Sequence, residues 1–170
     1  MRGTRGFADY MVTNRLDGSG AGFTYAAFKA WALPLSDTGK PRKVAFVGGT
    51  LFQAIQNMCE RNATMMLTPG VEKWGMRISV LETAGPDIEL VKHPLLTRYY
   101  PGTGICLDLS LLTVCAMRDL EGIRDMRYRP NIQLPDLDGH KGEYLSQIGV
   151  KLGLEQAHGI IHDVTVYTHV

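Results

Sequence analysis

From Glu143 to Glu155 the chain alternates with a period of two. Tyr144, Ser146, Ile148, Val150, Leu152 and Leu154 fall on one parity. Glu143, Gln147, Gly149, Lys151, Gly153 and Glu155 fall on the other, with Leu145 the one misfit. Successive side chains of a strand point to opposite faces, so the pattern predicts one long strand with an apolar and a polar face. At about 3.3 Å per residue its dozen residues reach roughly 40 Å, about twice an ordinary strand. In a chain of 170 residues, a strand of that reach predicts an elongated body.

The remaining segments read as shorter elements of both kinds, an α+β pattern. Thr24 is placed to cap a helix, with Phe23 before the cap stapled to Phe28. Phe28, Trp31 and Leu35 make its buried side, and Pro34 should end it. Lys43 to Val47 is a strand-type run that Gly48-Gly49 closes. Thr50 then opens a helix whose Leu51, Phe52, Ile55, Met58 and Cys59 recur at helical spacing, with Asn62 at its end. Met76 to Glu82 and Asp87 to Lys92 both alternate, and Thr83-Ala-Gly-Pro86 between them is turn chemistry, which predicts a β-hairpin. His93-Pro94 predicts an extended exit, Gly102 to Gly104 a turn, and Ile105 to Leu109 a strand. The β-branched segment Gly159 to Val170 is a strand candidate. At the front, Phe7, Tyr10 and Met11 share a short helical face. Met1 to Leu16 reads as a lead-in element whose main partner lies elsewhere, followed by a flexible break at Asp17-Gly-Ser-Gly-Ala-Gly22.

Charge and cysteine content narrow the function classes. Eighteen Lys and Arg stand against 17 Asp and Glu, which leaves no net field to hold nucleic acid or an anionic membrane. Cys59, Cys106 and Cys115 are odd in number and lack C-x-x-C spacing, against a disulfide framework or a structural zinc site. Their apolar settings read as buried, inert thiols in a reducing cytoplasm. No apolar run approaches the roughly 18 residues of a membrane span, and the signal-peptide layout is absent from the front of the sequence.

Three constellations invite chemistry. His158-Gly-Ile-Ile-His162, with Glu155 and Asp163 alongside, could share a metal on a helix and would then suit a metal-dependent hydrolase. The β-branched surroundings favour a strand, on which the two histidines lie about 13 Å apart. Gly48, Gly49 and Thr50 sit where a nucleotide phosphate could meet a helix start, but neither phosphate-loop signature is present. Arg118, Arg124, Arg127 and Arg129, interleaved with Asp119, Glu121 and Asp125, make either a self-paired solvated surface or intersubunit ion pairs. Ser79, Ser110 and Ser146 lie outside any nucleophile elbow, and His93 reads as a structural hydrogen-bonding residue. Asn62-Ala-Thr64 matches a glycosylation acceptor that a cytoplasmic chain would not use. No cofactor is implied.

Several segments, read in order, resemble one family: Arg2-Gly-Thr-Arg-Gly6, then Lys43-Val-Ala-Phe-Val-Gly-Gly49 opening a helix. Next come the hairpin ending Ile88-Glu-Leu-Val-Lys-His-Pro-Leu-Leu96 and Pro101-Gly-Thr-Gly-Ile-Cys-Leu-Asp108, followed by Gly142-Glu-Tyr-Leu and Glu155-Gln-Ala-His-Gly159. Together they resemble the C-terminal half of a tailed-bacteriophage major capsid protein of the Hong Kong 97 fold. The resemblance implies residues 1–22 as a lead-in, 23–130 as an axial-type α/β domain, and 131–170 as a peripheral-type long strand and return. It also implies that the N-terminal arm, extended loop and spine helix are absent here, as in a fragment, a split-gene product or a domain relative. The apolar face of the long strand would then lack its usual cover, which predicts an oligomer or an exposed greasy patch. The implied function is self-assembly into an icosahedral head, in a virion component made in the bacterial host cytoplasm. The implied partners are copies of the chain in pentamers and hexamers and an upstream capsid segment or scaffolding protein, with packaged double-stranded DNA held by confinement only and no membrane. Arg118, Arg124, Arg127 and Arg129 become the candidate subunit contacts. A non-capsid α+β binding domain, the hydrolase centred on His158 and His162, and a nucleotide-binding α/β protein are the rival readings.

Overall fold

Six residues, Arg42–Val47, form β2, the central strand of a seven-stranded mixed sheet. The computed structural model describes residues 6–19, 23–62, 66–73, 76–83, 85–119, 122–123, 126–132 and 139–165. Lys43, Ala45 and Val47 are buried in turn along β2, as alternation requires. On one side β2 pairs in parallel with β5 (Asp87–Lys92), and on the other it pairs antiparallel with β6 (Gly104–Leu107). Parallel neighbours need a long crossover. Here it consists of α3 (Gly49–Arg61), β3 (Met66–Lys73) and β4 (Met76–Glu82). The sheet order is β1-β13-β6-β2-β5-β4-β3, where β1 is Arg15–Asp17 and β13 is Gly159–His162.

The core lies where α2 (Tyr25–Asp37) and α3 meet this sheet. Phe28, Trp31, Ala32 and Leu35 of α2 and Leu51, Ala54, Ile55 and Met58 of α3 are buried. They join Ala45, Val47, Ile88, Leu90, Cys106 and Ile161 in one cluster. The space left between them holds ≈ 10 Å³, room for a single water. Thr24 caps α2 as expected, its Oγ1 accepting from the Ala27 N–H at 3.2 Å. The Phe23 and Phe28 rings meet edge-on, 5.7 Å apart. Pro34, by contrast, does not end α2, which runs on to Asp37. A proline there removes one backbone donor, while the fully buried Leu35 holds the last turn against the core.

Helix α3 is capped two residues earlier than the Thr50 cap predicted. Gly48 is its N-cap, because the chain passes so close to Pro101 that a Cβ at Gly48 would collide with that carbonyl. Asn62 closes the helix, its amide and backbone N–H both donating to the Met58 carbonyl. The β4–β5 hairpin is present, with Ile78 opposite Val91 and Leu81 opposite Ile88. Thr83 Oγ1 accepts from the Gly85 N–H and donates to the Pro86 carbonyl, which ties the turn. His93 is extended, but the exit lasts one residue, because Pro94 starts a short helix, α4 (Pro94–Tyr99). The strand expected over Ile105 to Leu109 is β6, which ends at Leu107.

The lead-in finds its partner at the far end of the chain: Arg15, Leu16 and Asp17 of β1 pair in parallel with Ile160, Ile161 and His162. Its helix, α1 (Phe7–Tyr10), is a single turn, with Tyr10 exposed and Met11 fully buried just beyond it, so the two do not share a face.

The chain divides into two units, Met1–Leu111 with Leu154–Val170, and Leu112–Gly153. In the second unit β7 (Leu112–Ala116) is followed by β8 (Arg118–Asp119), β9 (Gly122–Ile123) and β10 (Arg127–Arg129). The single long strand expected over Glu143 to Glu155 is interrupted. It comprises β11 (Glu143–Leu145) and β12 (Ile148–Leu152), with Ser146 and Gln147 between them. The break comes where the partner changes, since β11 pairs with β10 and β12 pairs with β7. Beyond Leu152 the pattern fails because Leu154 adopts φ 45° and leads into a 3₁₀ turn at Glu155–Ala157.

Candidate functional site

The β7–β12 pair presents a face made only of aliphatic side chains. Leu112 stands opposite Leu152, Val114 opposite Val150, and Ala116 opposite Ile148. Residues directly opposed in an antiparallel pair share a face. Thr113, Cys115, Gly149 and Lys151 occupy the other one. Three of its six residues are open to solvent, with Val114 71%, Ile148 58% and Val150 51% exposed, while Leu112, Ala116 and Leu152 are half-buried. The apolar parity read from the sequence is therefore real, and it faces solvent.

Tyr128 and Tyr144 are opposed on β10–β11 with ring centroids 5.1 Å apart, and both are more than half exposed. Gly142 is held beneath this pair, since a Cβ there would strike the Tyr128 ring. Arg127 and Arg129 flank Tyr128 and are half-buried. Arg129 Nη1 lies 3.9 Å from Glu143 Oε1 across the pair, an ion pair open to water and worth little by itself. Arg118 is exposed on β8. Arg124 lies outside the described residues. Along β10 the arginines alternate with Tyr128 and take the face opposite the tyrosine pair; what sequence order alone does not reveal is the meeting of Tyr128 with Tyr144.

In the first unit, a buried polar cluster ties the two ends of the chain to the sheet. Lys43 lies on the core parity of β2 and is fully buried, with Asp108 1% exposed and His158 0% exposed. Lys43 Nζ donates to the Thr38 carbonyl at 2.8 Å and lies 3.4 Å from Asp108 Oδ2. Asp108 also accepts from the Lys40 N–H and from both the N–H and the hydroxyl of Ser110. Burial alone would raise the Asp108 carboxyl, but the Ser110 and Lys40 donors and the Lys43 ammonium outweigh it and hold it down to about 2. The Asp108 N–H donates to His158 Nδ1 at 3.1 Å. Asn14 Nδ2 donates to the carbonyls of Gln156 and His158. Burial likewise pushes up the Glu155 carboxyl, yet donors from Thr13 and Val12 bring it below its ordinary value.

Of the other sequence candidates, His162 and Asp163 come together and the rest do not converge. His158 and His162 stand at opposite ends of the extended β13, not on one helix face, so they do not form the metal pair that a hydrolase would need. His162 Nδ1 instead lies 2.9 Å from Asp163 Oδ2 and 3.8 Å from Asp17 Oδ1. Asp17 was not a candidate because only the β1–β13 register brings it there. At the start of α3, the Leu51 N–H donates to the Pro101 carbonyl and the Gly48 N–H to that of Thr103. A protein loop occupies the place where Gly48, Gly49 and Thr50 would meet a phosphate. His93 bonds through its backbone, and its ring lies edge-on to Phe46. Cys106 is buried and pushed up to about 12, and half-burial takes Cys59 to about 11. Cys115 is exposed, contrary to the expectation of three buried thiols. It lies on the polar face of β7, which the apolar neighbours Val114 and Ala116 concealed in sequence.

Residues 1–165 match the protein family described as SU10 major capsid protein. No curated protein matches the chain.

Proposed function

The chain belongs to the SU10 major capsid protein family, a structural component of bacteriophage heads, and from that premise we propose how its parts serve the shell. The first unit is the axial-type body of a Hong Kong 97-like subunit, grouped with its neighbours into pentamers and hexamers. The second unit belongs to the peripheral part and carries contacts between subunits. DNA is a partner by confinement, and the chain is made in the cytoplasm of the bacterial host. The mixed sheet with two helices packed on it supports the axial assignment. The contact assignment rests on one observation above all: the second unit exposes the Tyr128–Tyr144 pair and the aliphatic side chains of Val114, Ile148 and Val150, and carries Arg118 exposed on β8. Aromatic side chains and arginine are what subunit interfaces concentrate, while charge at the centre is depleted.

Mechanism on this reading is closure by symmetry. Many copies of a weak contact add to a stable shell, while each single contact stays reversible enough for errors to anneal. Reversing charge with Arg124→Glu and Arg127→Glu should reduce association and leave the folded monomer intact. Light scattering reads oligomer size, negative-stain microscopy reads shells, and circular dichroism reads the fold. An unchanged size distribution would remove these arginines from the contact.

A further inference from the structure

We propose that Asp17, His162 and Asp163 form a zinc site that clasps the front of the chain to its end. The site lies in the first unit and is independent of how the second unit makes its contacts. Strand β1 is an edge strand of three residues, held on the sheet by its parallel pairing with β13. In that register Asp17 stands beside His162, and residues paired this way point to the same face. Strand β13 ends at His162, and Asp163 then enters the left-handed region at φ 57°, which an aspartate tolerates better than most residues. Its carboxylate returns to the imidazole, where a continuing strand would have sent it to the opposite face.

The donor set and its spacing identify the ligand. Surface carboxylates alone select nothing, but these two come from separate segments and surround one imidazole nitrogen. His162 Nδ1 lies 2.9 Å from Asp163 Oδ2 and 3.8 Å from Asp17 Oδ1. Among the described residues this is the one place where three donors from His, Cys, Asp or Glu lie within 4.8 Å of one another. Nδ1 carries at most one proton, so it can donate to one of the carboxylates and not to both. A proton leaves the arrangement half served, whereas a cation attracts all three donors at once. Donors about 2.1 Å from a tetrahedral zinc ion are separated by roughly 3.4 Å, and the two distances bracket that value. One nitrogen with two oxygens suits zinc, while calcium and magnesium take oxygen throughout. The Asp17 carboxyl is held below its ordinary value by the Ser19 donors first, then by the charges of His162 and Arg15, which keeps it ionised as a ligand. Arg15 also opposes an incoming cation, so the ion is held by coordination and not by a surrounding field. Asp17 and Asp163 are more than half exposed, which leaves the fourth position to water and makes binding reversible.

Zinc titration of the full chain tests this, in a Cys115→Ser background that removes the exposed thiol as a rival ligand. Equilibrium dialysis with elemental analysis should find one zinc ion per chain. With free zinc about 100-fold above its dissociation constant, the melting temperature should rise by roughly 5–10 °C, and magnesium at the same concentration should leave it unmoved. His162→Ala should weaken binding by at least about tenfold and abolish the shift. Asp163→Asn keeps the shape of the side chain and should weaken binding as well. It decides the question if His162→Ala fails to fold, which circular dichroism of the zinc-free variants reads. His140→Ala, which removes an exposed histidine of the other unit, should change nothing. X-ray absorption at the zinc edge should show one imidazole and otherwise oxygen. Absence of stoichiometric zinc would overturn the site. So would zinc whose affinity survives both His162→Ala and Asp163→Asn, or a spectrum with sulfur on the metal.

Discussion

Removing either member of the buried Lys43–Asp108 pair should destabilise the first unit, and by very unequal amounts. Asp108→Ala strips Lys43 of its carboxylate and leaves a fully buried ammonium donating to the Thr38 carbonyl. It also frees the Lys40 N–H and the Ser110 N–H and hydroxyl. Breaking a buried pair from one side typically costs about 3–5 kcal/mol. Lys43→Met leaves Asp108 with three donors still in place, and the methionine fills the volume of the lysine stem. Its cost should be about 1–2 kcal/mol, near that of losing one charged hydrogen bond. In the double variant no buried charge is stranded, so it should be more stable than the sum of the singles predicts by about 1–3 kcal/mol. Urea unfolding of all four proteins, followed by the fluorescence of buried Trp31, reads the cycle. The acid limb adds a second test. The Asp108 carboxyl is held down to about 2 in the fold against an ordinary 3.8. A depressed carboxyl stabilises the fold above its ordinary value and loses that contribution as pH falls toward 2. The wild-type advantage over Asp108→Asn should therefore shrink between about pH 4 and pH 2. Equal costs for Asp108→Ala and Lys43→Met, or additivity in the double, would refute the picture of an over-supplied carboxylate holding a dependent lysine.

Two further outcomes follow from local geometry. Gly48→Ala should destabilise by about 1–3 kcal/mol in thermal or urea unfolding, because the new Cβ meets the Pro101 carbonyl and the loop must move. In the dilute native chain, Cys115 should react with a maleimide far faster than Cys59, and Cys106 should react last, since it is buried with its thiol raised to about 12. Peptide mapping of the labelled chain gives the order.

What could be read from the residues was what they encode locally. The Thr24 cap, the Phe23–Phe28 staple, the Leu51 to Met58 stripe and the Thr83 to Pro86 turn each involve neighbours within a few positions, and each is present. Errors arose where a distant segment decided. Pro34 is a helix stop until Leu35 is buried. Thr50 is a better cap than Gly48 until Pro101 crowds the turn. The β1–β13 pairing and the approach of Asp17 to His162 join segments near opposite ends of the chain, for which no local pattern exists. One long-range feature does leave a local trace: Lys43 shares the parity of Ala45 and Val47, which marks it as a buried cation in search of an acid. The period-two run from Glu143 was read correctly as faces and incorrectly as one strand. Alternation records which side a residue takes but not which neighbour it pairs with, and here β10 and β7 share the partner between them.

The two units also treat their exceptional residues in opposite ways, and this bears on assembly. The first unit hides a lysine, an aspartate and a histidine and satisfies them internally, a costly arrangement that fixes the closure of front and end on the sheet without outside help. The second unit leaves bare what a self-sufficient fold would hide, on ribbons of two strands. Burying a Val or Ile fully is worth about 1.5–3 kcal/mol, and Val114, Ile148 and Val150 are each more than half exposed. About 3–5 kcal/mol of apolar burial is therefore withheld from the monomer and available on contact. A contribution of that size is too small to commit two free copies irreversibly in dilute solution, where association must first overcome lost translational and rotational freedom. It is large enough to order a marginal ribbon once neighbouring copies are already held in place. Ordering of the second unit should thus follow assembly rather than precede it, with amide exchange in β7 and β12 slowing in the assembled protein and the first unit already protected in the monomer.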